Sequence, residues 1–301
     1  MIITIKLYIS SRSKIKTMDK TKVKFWGVRG SFPMPNSNDD FGGNTSCVEL
    51  RTSDNNLIIF DMGTGLRALG SSLLSENNPP KDINIILSHY HYDHILGFLM
   101  FLPLFNKQFN INIYGKSEND IELKSLFKEF LNPHFWPVGM EMFEANINFI
   151  NIKENNFLIG ENINVKTNLH GHPGGALSLR VESNDVAVVY ITDCEHPTSN
   201  LNQNVIDISS NADLLIHDAQ YTPEQMENHK GWGHSSWEQA CMVAKEARVN
   251  RLALFHHNPD HGNNKLEQIE SNAKKLFSNS ISAKEGMEIN LPARVEETAN
   301  I

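Results

Sequence analysis

The sequence predicts an α/β fold in which two β-sheets pack face to face with helices on the outside. Short runs rich in β-branched residues recur from residue 21 onwards, and turn residues separate them. Residues 83–88 form an almost continuous apolar run, as in a strand that is buried on both faces. Helical patterns close each strand-rich half of the chain, and they can cover the outer faces of the two sheets.

The individual elements follow from these patterns in chain order. Strands are predicted where β-branched or aromatic runs lie between turn residues, at residues 23–28, 47–52, 57–61, 83–88, 111–114, 147–150, 163–168, 176–181, 186–192, 214–217 and 251–255. Helices are predicted where apolar residues recur at helical spacing, at residues 95–105, 120–131, 236–247 and 265–277.

One domain is expected over residues 21–301. The chain has 301 residues, which allows one large domain or two small ones of about 150 residues each. No repeat, low-complexity linker or long charge run divides it. Residues 1–20 are expected to be an extension, either an upstream-start artefact or a frayed arm, and an additional edge strand is the alternative.

Neither a membrane span nor a secretory signal is expected. The longest apolar run, residues 95–105, has about half of the roughly 20 residues that a spanning helix needs, and the first 17 residues lack a continuous apolar stretch. The three cysteines, Cys47, Cys194 and Cys241, form no CxxC pair, which argues against a disulfide framework. We therefore expect a cytoplasmic protein.

The charge of the chain restricts its partners. With 27 Lys+Arg and 35 Asp+Glu, the formal net charge is −8. Such a charge opposes binding that depends on the neutralisation of many phosphates, as in duplex DNA. A small substrate is therefore expected.

The strongest functional signal is the segment SHYHYDH at residues 88–94, directly after the buried strand. In an extended backbone His89 and His91 point the same way. Where the chain turns into a helix, Asp93 and His94 can aim at a neighbouring point. Three imidazoles and a carboxylate at a strand end can thus converge on metal ions. A surface loop rich in His and Tyr is the alternative, and it would be preferred only for a single histidine.

The HxHxDH pattern at residues 89–94 resembles the signature of the metallo-β-lactamase superfamily, and the flanking segments fit the family in order. DMGTG at 61–65 resembles the family's Asp-x-Gly turn, and HPGGALSLR at 172–180 resembles a loop that carries a metal-binding imidazole. The likeness extends from residue 23 to about residue 261. It implies the family's αββα sandwich, with two mixed β-sheets packed face to face and helices on the outside.

Within that superfamily the likeness is greatest to the phosphodiesterase branch. This branch includes tRNA 3′-processing ribonucleases, phosphonate-linked cyclic-phosphate phosphodiesterases and cyclic-nucleotide phosphodiesterases. The segments that carry the likeness are FWGVRGS at 25–31, HDA at 217–219, GHSS at 233–236 and LALFHHNP at 252–259. The ribonuclease pattern has Glu where this chain has Asp218.

The resemblance implies two divalent metal ions, with zinc expected and manganese or iron as alternatives. The first ion would be held by three histidines, the second by two histidines and an aspartate, and one further aspartate would bridge the two ions. The implied ligands of the first ion are His89, His91 and His172, and those of the second ion are Asp93, His94 and His256. The implied bridging residue is Asp193. His170 remains an alternative to His172, and His257 to His256.

The implied activity is that of a metal-dependent hydrolase, in which a metal-bridging hydroxide attacks phosphorus. His234 is the candidate acid or electrostatic donor for the leaving group, with Asp218 fixing its tautomer. Asp93 completes the predicted catalytic set. For His234 the structural alternative is a helix entry at residues 233–236 with Ser235 as N-cap.

Three weaker signals leave alternatives open. Asp61 is expected to hydrogen-bond a ligand histidine or the metal loop, unless it is a plain turn residue. Residues 42–46, GGNTS, offer backbone N–H groups to a phosphate or only permit a tight turn. The aromatic residues Phe135, Trp136 and Trp232 could stack a nucleobase or simply pack.

A small phosphodiester, such as a cyclic nucleotide or another cyclic phosphate, is the expected substrate. The tRNA-processing members carry a basic arm, as the resemblance implies. The corresponding residues 116–143 contain Lys124 and Lys128 among acidic side chains, which in and just beyond this region are Glu118, Asp120, Glu122, Glu129, Glu141 and Glu144. The alternative activities are tRNA 3′-end processing and hydrolysis of a thioester, lactone or β-lactam, and the non-enzymatic alternative is a metal-retaining sensor or binding module. Branch members are often dimers, so a homodimer is an open alternative.

Overall fold

The computed structural model describes residues 20–35, 39–117, 121–153, 155–184, 186–197 and 200–292. The expected N-terminal extension lies outside the described residues except for residue 20. Two of the acidic residues counted above, Glu118 and Asp120, also lie outside them.

The first sheet has seven strands and supplies the HxHxDH segment. Along the chain they are β1 (Thr21–Gly27), β2 (Cys47–Arg51), β3 (Leu57–Phe60), β4 (Asp82–Ile86), β5 (Asn110–Lys116), β6 (Asn146–Ile152) and, near the end, β14 (Glu288–Leu291). Their order across the sheet is β14-β1-β2-β3-β4-β5-β6. The four strands from β3 to β6 run parallel and the others are antiparallel.

The second sheet also has seven strands. They are β7 (Asn156–Ile159), β8 (Ile163–His170), β9 (Ala176–Ser183), β10 (Val186–Ile191), β11 (Leu214–Asp218), β12 (Leu252–Phe255) and β13 (Ser280–Ser282). The order is β13-β12-β11-β10-β9-β8-β7, with β10 to β13 parallel and β7 to β10 antiparallel. Both sheets are therefore mixed.

The α-helices lie on the outer faces of the sandwich and at its site edge. They are α1 (Leu66–Ser75), α2 (Tyr92–Ile95), α3 (Leu123–Phe130), α4 (Gln203–Ser209), α5 (Pro223–Met226), α6 (Trp237–Glu246) and α7 (Asn263–Leu276). Short 3₁₀ helices cover Leu96–Met100, Leu102–Phe105, Met140–Met142 and Glu227–His229.

The core has three layers because successive side chains of a strand point to opposite faces. In β3, Ile58 and Phe60 belong to the core between the two sheets. Leu57 and Ile59 of the same strand pack in the outer core that includes α1 and the 3₁₀ turns. The second sheet repeats this pattern, and α4, α6 and α7 cover its outer face. Burial of each such side chain contributes about 1.5–3 kcal/mol, and the predicted sandwich is confirmed.

The predicted helix at 95–105 is wrong. The segment folds as α2 followed by two 3₁₀ turns. Pro103 lacks the N–H that an α-helix would use there. Gly97 lies so close to Gly63 that a Cβ would stand 2.0 Å from the Gly63 carbonyl oxygen, so the chain must turn tightly against the loop after β3.

Several elements were not predicted from the sequence. Helix α1 was missed although Leu66, Leu69 and Leu73 recur at helical spacing and are buried. The short strands β7, β13 and β14 were not predicted either, because three or four residues show little periodicity. Residues 233–236 do lead into helix α6, as the structural alternative had it, but the N-cap is Ser236, which shares a capping box with Gln239, and not Ser235.

In the described parts of the chain, no helix combines the length and the apolar character that crossing a bilayer would require.

Candidate metal centre

The predicted site residues meet at one edge of the sandwich, where strands of both sheets end. Asp61 follows β3, Asp193 follows β10 and His256 follows β12. Their φ angles are 59°, 53° and 57°, in the left-handed region that non-glycine residues rarely adopt. Such conformations persist where the surrounding structure enforces them, and they cluster at functional sites. Each turn leaves its side chain at the shared edge.

A tight buried group, here called cluster 2, contains one polar atom from each of four side chains. These are Asp93, His94, Asp193 and His256. His94 Nε2 lies 3.0 Å from Asp93 Oδ2 and 3.1 Å from Asp193 Oδ2. His256 Nε2 lies 3.2 Å and 3.1 Å from the same two oxygens. Ligands about 2.0–2.1 Å from a tetrahedral zinc ion are spaced by roughly 3.3 Å, so cluster 2 has the dimensions of a metal site.

A second group, cluster 1, brings together His89, His91, His172 and the other oxygen of Asp193. His172 Nε2 lies 3.0 Å from His91 Nδ1 and 3.7 Å from Asp193 Oδ1. His89 Nε2 lies 3.8 Å from the same oxygen. His91 is exposed, whereas the His172 side chain is 3 % exposed, so cluster 1 is wider than cluster 2 and opens to solvent on the side of His91.

Asp193 joins the two clusters, because its Oδ1 faces cluster 1 and its Oδ2 faces cluster 2. The carboxylate is 2 % exposed. Although burial raises the pKa of Asp193, the imidazoles of His256 and His94 lower it well below its ordinary value. The carboxylate is therefore ionised at neutral pH.

In each of three histidines, one ring nitrogen is hydrogen-bonded within the protein, so the other ring nitrogen is available to a metal ion. His94 Nδ1 donates to Asp61 Oδ2 at 2.8 Å, and His172 Nδ1 donates to the Gly233 carbonyl at 3.0 Å. His89 Nδ1 lies 3.0 Å from the Ser88 hydroxyl, which itself donates to Asp61. In each case Nε2 keeps its lone pair for a metal, as the partners of ligand histidines usually arrange.

The arrangement requires a cation. Nδ1 of His94 donates its proton to Asp61, so Nε2 carries a lone pair. Without a cation, this lone pair would face the carboxylates of Asp93 and Asp193 at about 3 Å. Burial lowers the pKa of His94, but the charges of Asp93, Asp193 and Asp61 raise it well above its ordinary value. Nε2 of His89 and of His94 is buried without a hydrogen-bond partner among the described residues. A proton on His94 or a metal ion can meet this demand, and the nitrogen and carboxylate donors fit divalent ions.

Asp61 is the centre of a buried network that the sequence only partly indicated. Besides His94, it accepts hydrogen bonds from the Ser88 amide at 2.7 Å and from the Tyr190 hydroxyl at 2.8 Å. Tyr190 lies in β10 of the opposite sheet. Asp61 therefore ties the HxHxDH loop to both sheets.

His234 stands beside both clusters. Its Nδ1 lies 3.0 Å from Asp218 Oδ2, and its ring stacks on His256 with centroids 5.1 Å apart. Burial lowers the pKa of His234, but Asp218 outweighs this effect and raises the pKa to about 9. The imidazole is therefore protonated at neutral pH in the metal-free protein.

Glu195 positions the loop that carries His234, and sequence reasoning missed it. Its carboxylate accepts the amides of Gly231 and Gly233, each at 2.7 Å. Nothing in the local sequence links residue 195 to residues 231–233, since the contact is between distant segments.

The alternative histidines have other partners. His170 receives a hydrogen bond from the Ser178 hydroxyl at 2.7 Å and donates to backbone carbonyls, and burial lowers its pKa to about 4. His257 Nε2 donates to the Ala283 carbonyl at 2.9 Å. The geometry thus brings His172 and His256 to the clusters and leaves His170 and His257 outside them.

Ser31 and Gly30 close the site from the first sheet. The Ser31 amide donates to Asp93 Oδ2 at 2.8 Å. A Cβ on Gly30 would stand 2.4 Å from His256 Nδ1 and 2.5 Å from Gln220 Oε1, so only glycine fits there. Neither contact was derived from the sequence.

Residues 42–46 do not form the phosphate cradle considered above. The Asn44 amide donates to the Glu285 carboxylate, and the Thr45 amide donates to the Thr64 hydroxyl at 2.9 Å. A carboxylate already occupies the place that an anion would take.

The aromatic residues considered above as stacking partners divide into two groups. Trp136 is half-buried against the outer core, whereas Phe135 and Trp232 are 85 % and 59 % exposed. Trp232 directly precedes the loop of Gly233 and His234, so it is the better placed to meet a substrate.

A small cavity of about 280 Å³ opens beside cluster 1. His89, Lys116, Ser117 and Gly175 contribute to its wall. Small-molecule pockets are usually about 300–1,000 Å³, so the cavity suits a compact ligand.

The αββα sandwich and the His/Asp clusters at the edge where its strands end define the class of protein. A protein with this fold and this centre is a metal-dependent hydrolase. Residues 56–257 match the family model described as "Beta-lactamase superfamily domain". The chain belongs to this superfamily, and its phosphodiesterase branch is the part that it resembles.

Named relatives and solved structures agree with this assignment. A "Ribonuclease Z" from Thermoplasma acidophilum is 25% identical, with 91% of this chain and 97% of the relative covered. The metallo-β-lactamase fold protein YhfI from Bacillus subtilis has a TM-score of 0.67 at 23% identity, with coverage of 90% of this chain and 99% of that one. Human tRNase Z, short form, has a TM-score of 0.63 at 21% identity, covering 90% and 99%. The two structural likenesses show the shared fold.

Proposed function

We propose that the protein hydrolyses a small phosphodiester, such as a cyclic nucleotide or another cyclic phosphate, at a centre of two divalent ions. The observation that carries the proposal is the Asp193 carboxylate, which points one oxygen at each cluster. Such sharing suits two ions about 3.5–4 Å apart. Since the ligands come from both sheets, we treat residues 21–301 as one hydrolase domain.

In this proposal each cluster holds one ion and Asp193 is common to both. His89, His91 and His172 would hold the first ion, and Asp93, His94 and His256 the second. Zinc suits the nitrogen-rich set, with manganese and iron as alternatives. When bound, such ions lower the pKa of water to about 7 and attract the non-bridging oxygens of a phosphodiester.

His234 is proposed to hold the proton that the leaving oxygen needs. Asp218 binds Nδ1, which leaves Nε2 available to the substrate. The pKa of about 9 in the metal-free protein keeps the ring charged, and two nearby cations would lower this pKa towards neutrality. A group that is protonated near neutral pH is suited to general acid catalysis.

The segment that could bind RNA supports a small substrate instead. Leu123 and Phe127 of α3 are buried in the outer core, and Phe143 packs against the same core. The described part of this region, residues 116–117 and 121–143, is thus folded onto its own domain, and its three lysines are balanced by three glutamates. A clamp for tRNA would need a basic surface.

Lys116 supports a compact anionic ligand. It is exposed and contributes to the wall of the cavity that also includes His89 and Ser117. Its position would allow a charge-assisted contact to a second anionic group of the substrate.

The second candidate function is tRNA 3′-end processing. The observation that favours it is the name "Ribonuclease Z" of the Thermoplasma acidophilum relative, which covers 91% of this chain. A third possibility, hydrolysis of a thioester, lactone or β-lactam, rests only on the shared superfamily core.

A substrate panel tests the proposal. The full chain, loaded with Zn²⁺ or Mn²⁺, is assayed on 2′,3′- and 3′,5′-cyclic nucleotides, cyclic sugar phosphates, a precursor tRNA and a lactone. We expect turnover of at least one cyclic phosphate, loss of it in Asp93→Ala and retention in Asp82→Ala, an exposed aspartate at the start of β4. Cleavage of precursor tRNA alone would establish the second candidate, and activity on the lactone alone would refute both.

A further inference from the structure

A separate group of potential ligands lies behind the metal centre, at the end of β10 and β11. Cys194, His196 and His217 offer ligand atoms that all lie within 4.8 Å of one another. The three residues are 0 %, 6 % and 0 % exposed. His217 precedes Asp218 in β11, so the two side chains point to opposite faces of the sheet. None of the three belongs to cluster 1 or cluster 2.

Two atoms of this group are buried without a partner. Nε2 of His196 and Nε2 of His217 have no hydrogen-bond partner among the described residues, and the two rings stack with centroids 5.7 Å apart. His217 Nδ1 donates to the Asp218 carbonyl at 2.8 Å, so its Nε2 carries a bare lone pair. Leaving a buried polar group unsatisfied is costly, so both nitrogens favour a ligand that satisfies them.

We propose that Cys194, His196 and His217 form a third metal site that takes one zinc-like ion, with water in the fourth position. A thiolate and two imidazoles are a donor set that zinc favours. Bond lengths of about 2.0–2.3 Å place the ligand atoms of a tetrahedral site roughly 3.3–3.8 Å apart. The three ligand atoms, all within 4.8 Å of one another, are thus close enough for small side-chain movements to close them on an ion.

Ion binding at this site displaces protons. The Cys194 thiol loses its proton to solvent when it binds as a thiolate. His196 Nδ1 accepts the Asn202 amide at 3.1 Å, which leaves the ring proton on Nε2. Coordination through Nε2 moves that proton to Nδ1, so the Asn202 amide loses its acceptor. The loaded site is thus coupled to the position of the segment around residue 202.

The third site would brace the metal centre without being part of it. The Cys194 amide donates to Asp218 Oδ2 at 3.1 Å, and the Cys194 carbonyl accepts the Ser235 hydroxyl. Both contacts lead to residues that position His234. An ion on Cys194 would hold this backbone in place, and binding only to the folded chain would raise the melting temperature.

Cobalt substitution distinguishes this site from clusters 1 and 2. Because those clusters contain no sulfur, thiolate-to-cobalt charge-transfer absorption can arise only from a cysteine. Full-length protein loaded with Co²⁺ should show this absorption and bind three ions per chain. Cys194→Ser and His217→Phe should each bind two, and Cys194→Ser should lose the absorption. Cys241→Ser, which alters another buried cysteine, should keep both properties.

The wild-type spectrum decides the matter even if a variant fails to fold. Cobalt-loaded wild type without thiolate absorption, or a Cys194→Ser protein that keeps it, would overturn the proposal. Hydrogen exchange adds a second readout, since the Asn202 amide should exchange faster in the loaded wild type than in the metal-free form. An exchange rate that loading leaves unchanged would contradict coordination through His196.

Discussion

Clusters 1 and 2 share Asp193 but differ in how the protein prepares them. In cluster 2 the contacts between His94 or His256 and the two carboxylates are 3.0–3.2 Å, and every side chain is buried. In cluster 1 the contacts to Asp193 are 3.7–3.8 Å, and His91 is exposed. We infer from this difference that cluster 2 would retain its ion more tightly, whereas cluster 1 would exchange its ion and meet the substrate.

The largest effect is expected from the residue that the clusters share. Asp193→Ala removes the one carboxylate among the described residues that faces both clusters, so we expect metal content to fall from two ions to one or none at clusters 1 and 2. Loss of a dinuclear centre removes several kcal/mol of transition-state stabilisation, which corresponds to a decrease of about 10³-fold or more in kcat/KM. Metal analysis and phosphodiester kinetics measure both quantities. A variant with two ions there and normal turnover would remove Asp193 from the centre.

The ionisation of His234 should appear in the stability of the metal-free protein. Its pKa is raised from the ordinary value to about 9, so its contribution is complete below about pH 6.5 and is lost as the pH rises through about 9. The size is about 3 kcal/mol, since one pKa unit corresponds to 1.36 kcal/mol. We expect wild type to exceed His234→Gln in unfolding free energy by most of this amount at pH 6 and by little at pH 10.

Denaturant unfolding of the chelated proteins across this pH range provides the measurement. An advantage of wild type that grows with pH would contradict the ion pair between His234 and Asp218.

Asp61 should affect cluster 2 more than cluster 1, because it holds Nδ1 of His94. Asp61→Asn should lower the affinity of the tighter ion by about 10–100-fold, the usual effect of removing a partner of a ligand histidine. Tyr190→Phe is the matched control, since it removes one hydrogen bond to Asp61 and leaves the carboxylate. Competition with a chelator measures the affinity. Equal weakening of both ions would break the comparison between the clusters.

The smallest effect is expected at the open side. Lys116→Ala should raise KM several-fold and leave kcat and metal content unchanged, because an exposed cation contributes about 1 kcal/mol or less. Lys107→Ala, on an exposed turn away from the cavity, is the control. If kcat falls with unchanged KM, Lys116 acts on the reaction and not on binding.

The sequence was most informative where residues are close in the chain. The HxHxDH segment, its buried strand and the strand-end positions of Asp193 and His256 are local patterns, and the two packed sheets followed from the same runs. The prediction of a helix at residues 95–105 was wrong because it rested on the spacing of apolar residues. That spacing contains no information about the contact of Gly97 with Gly63, which forces tight turns.

Contacts between distant segments could not be derived. Tyr190 reaches Asp61 across the interface of the two sheets, and Glu195 holds the loop of residues 231–233. Neither partner has a local signature. His217 was noticed only as part of a resemblance, and its unpartnered nitrogen became visible when the strands were placed side by side.

We claim that the hydrolysis of a phosphodiester at this centre needs both ions. Metal-free protein is titrated with Zn²⁺, and the rate of bis(p-nitrophenyl) phosphate hydrolysis is recorded against bound metal in wild type and in Cys194→Ser, which lacks the proposed third site. We predict that the rate stays low while the first ion fills cluster 2 and rises as the second ion enters cluster 1. Full activity of metal-free protein, or a fully loaded centre inactive on every phosphodiester, would contradict the claim.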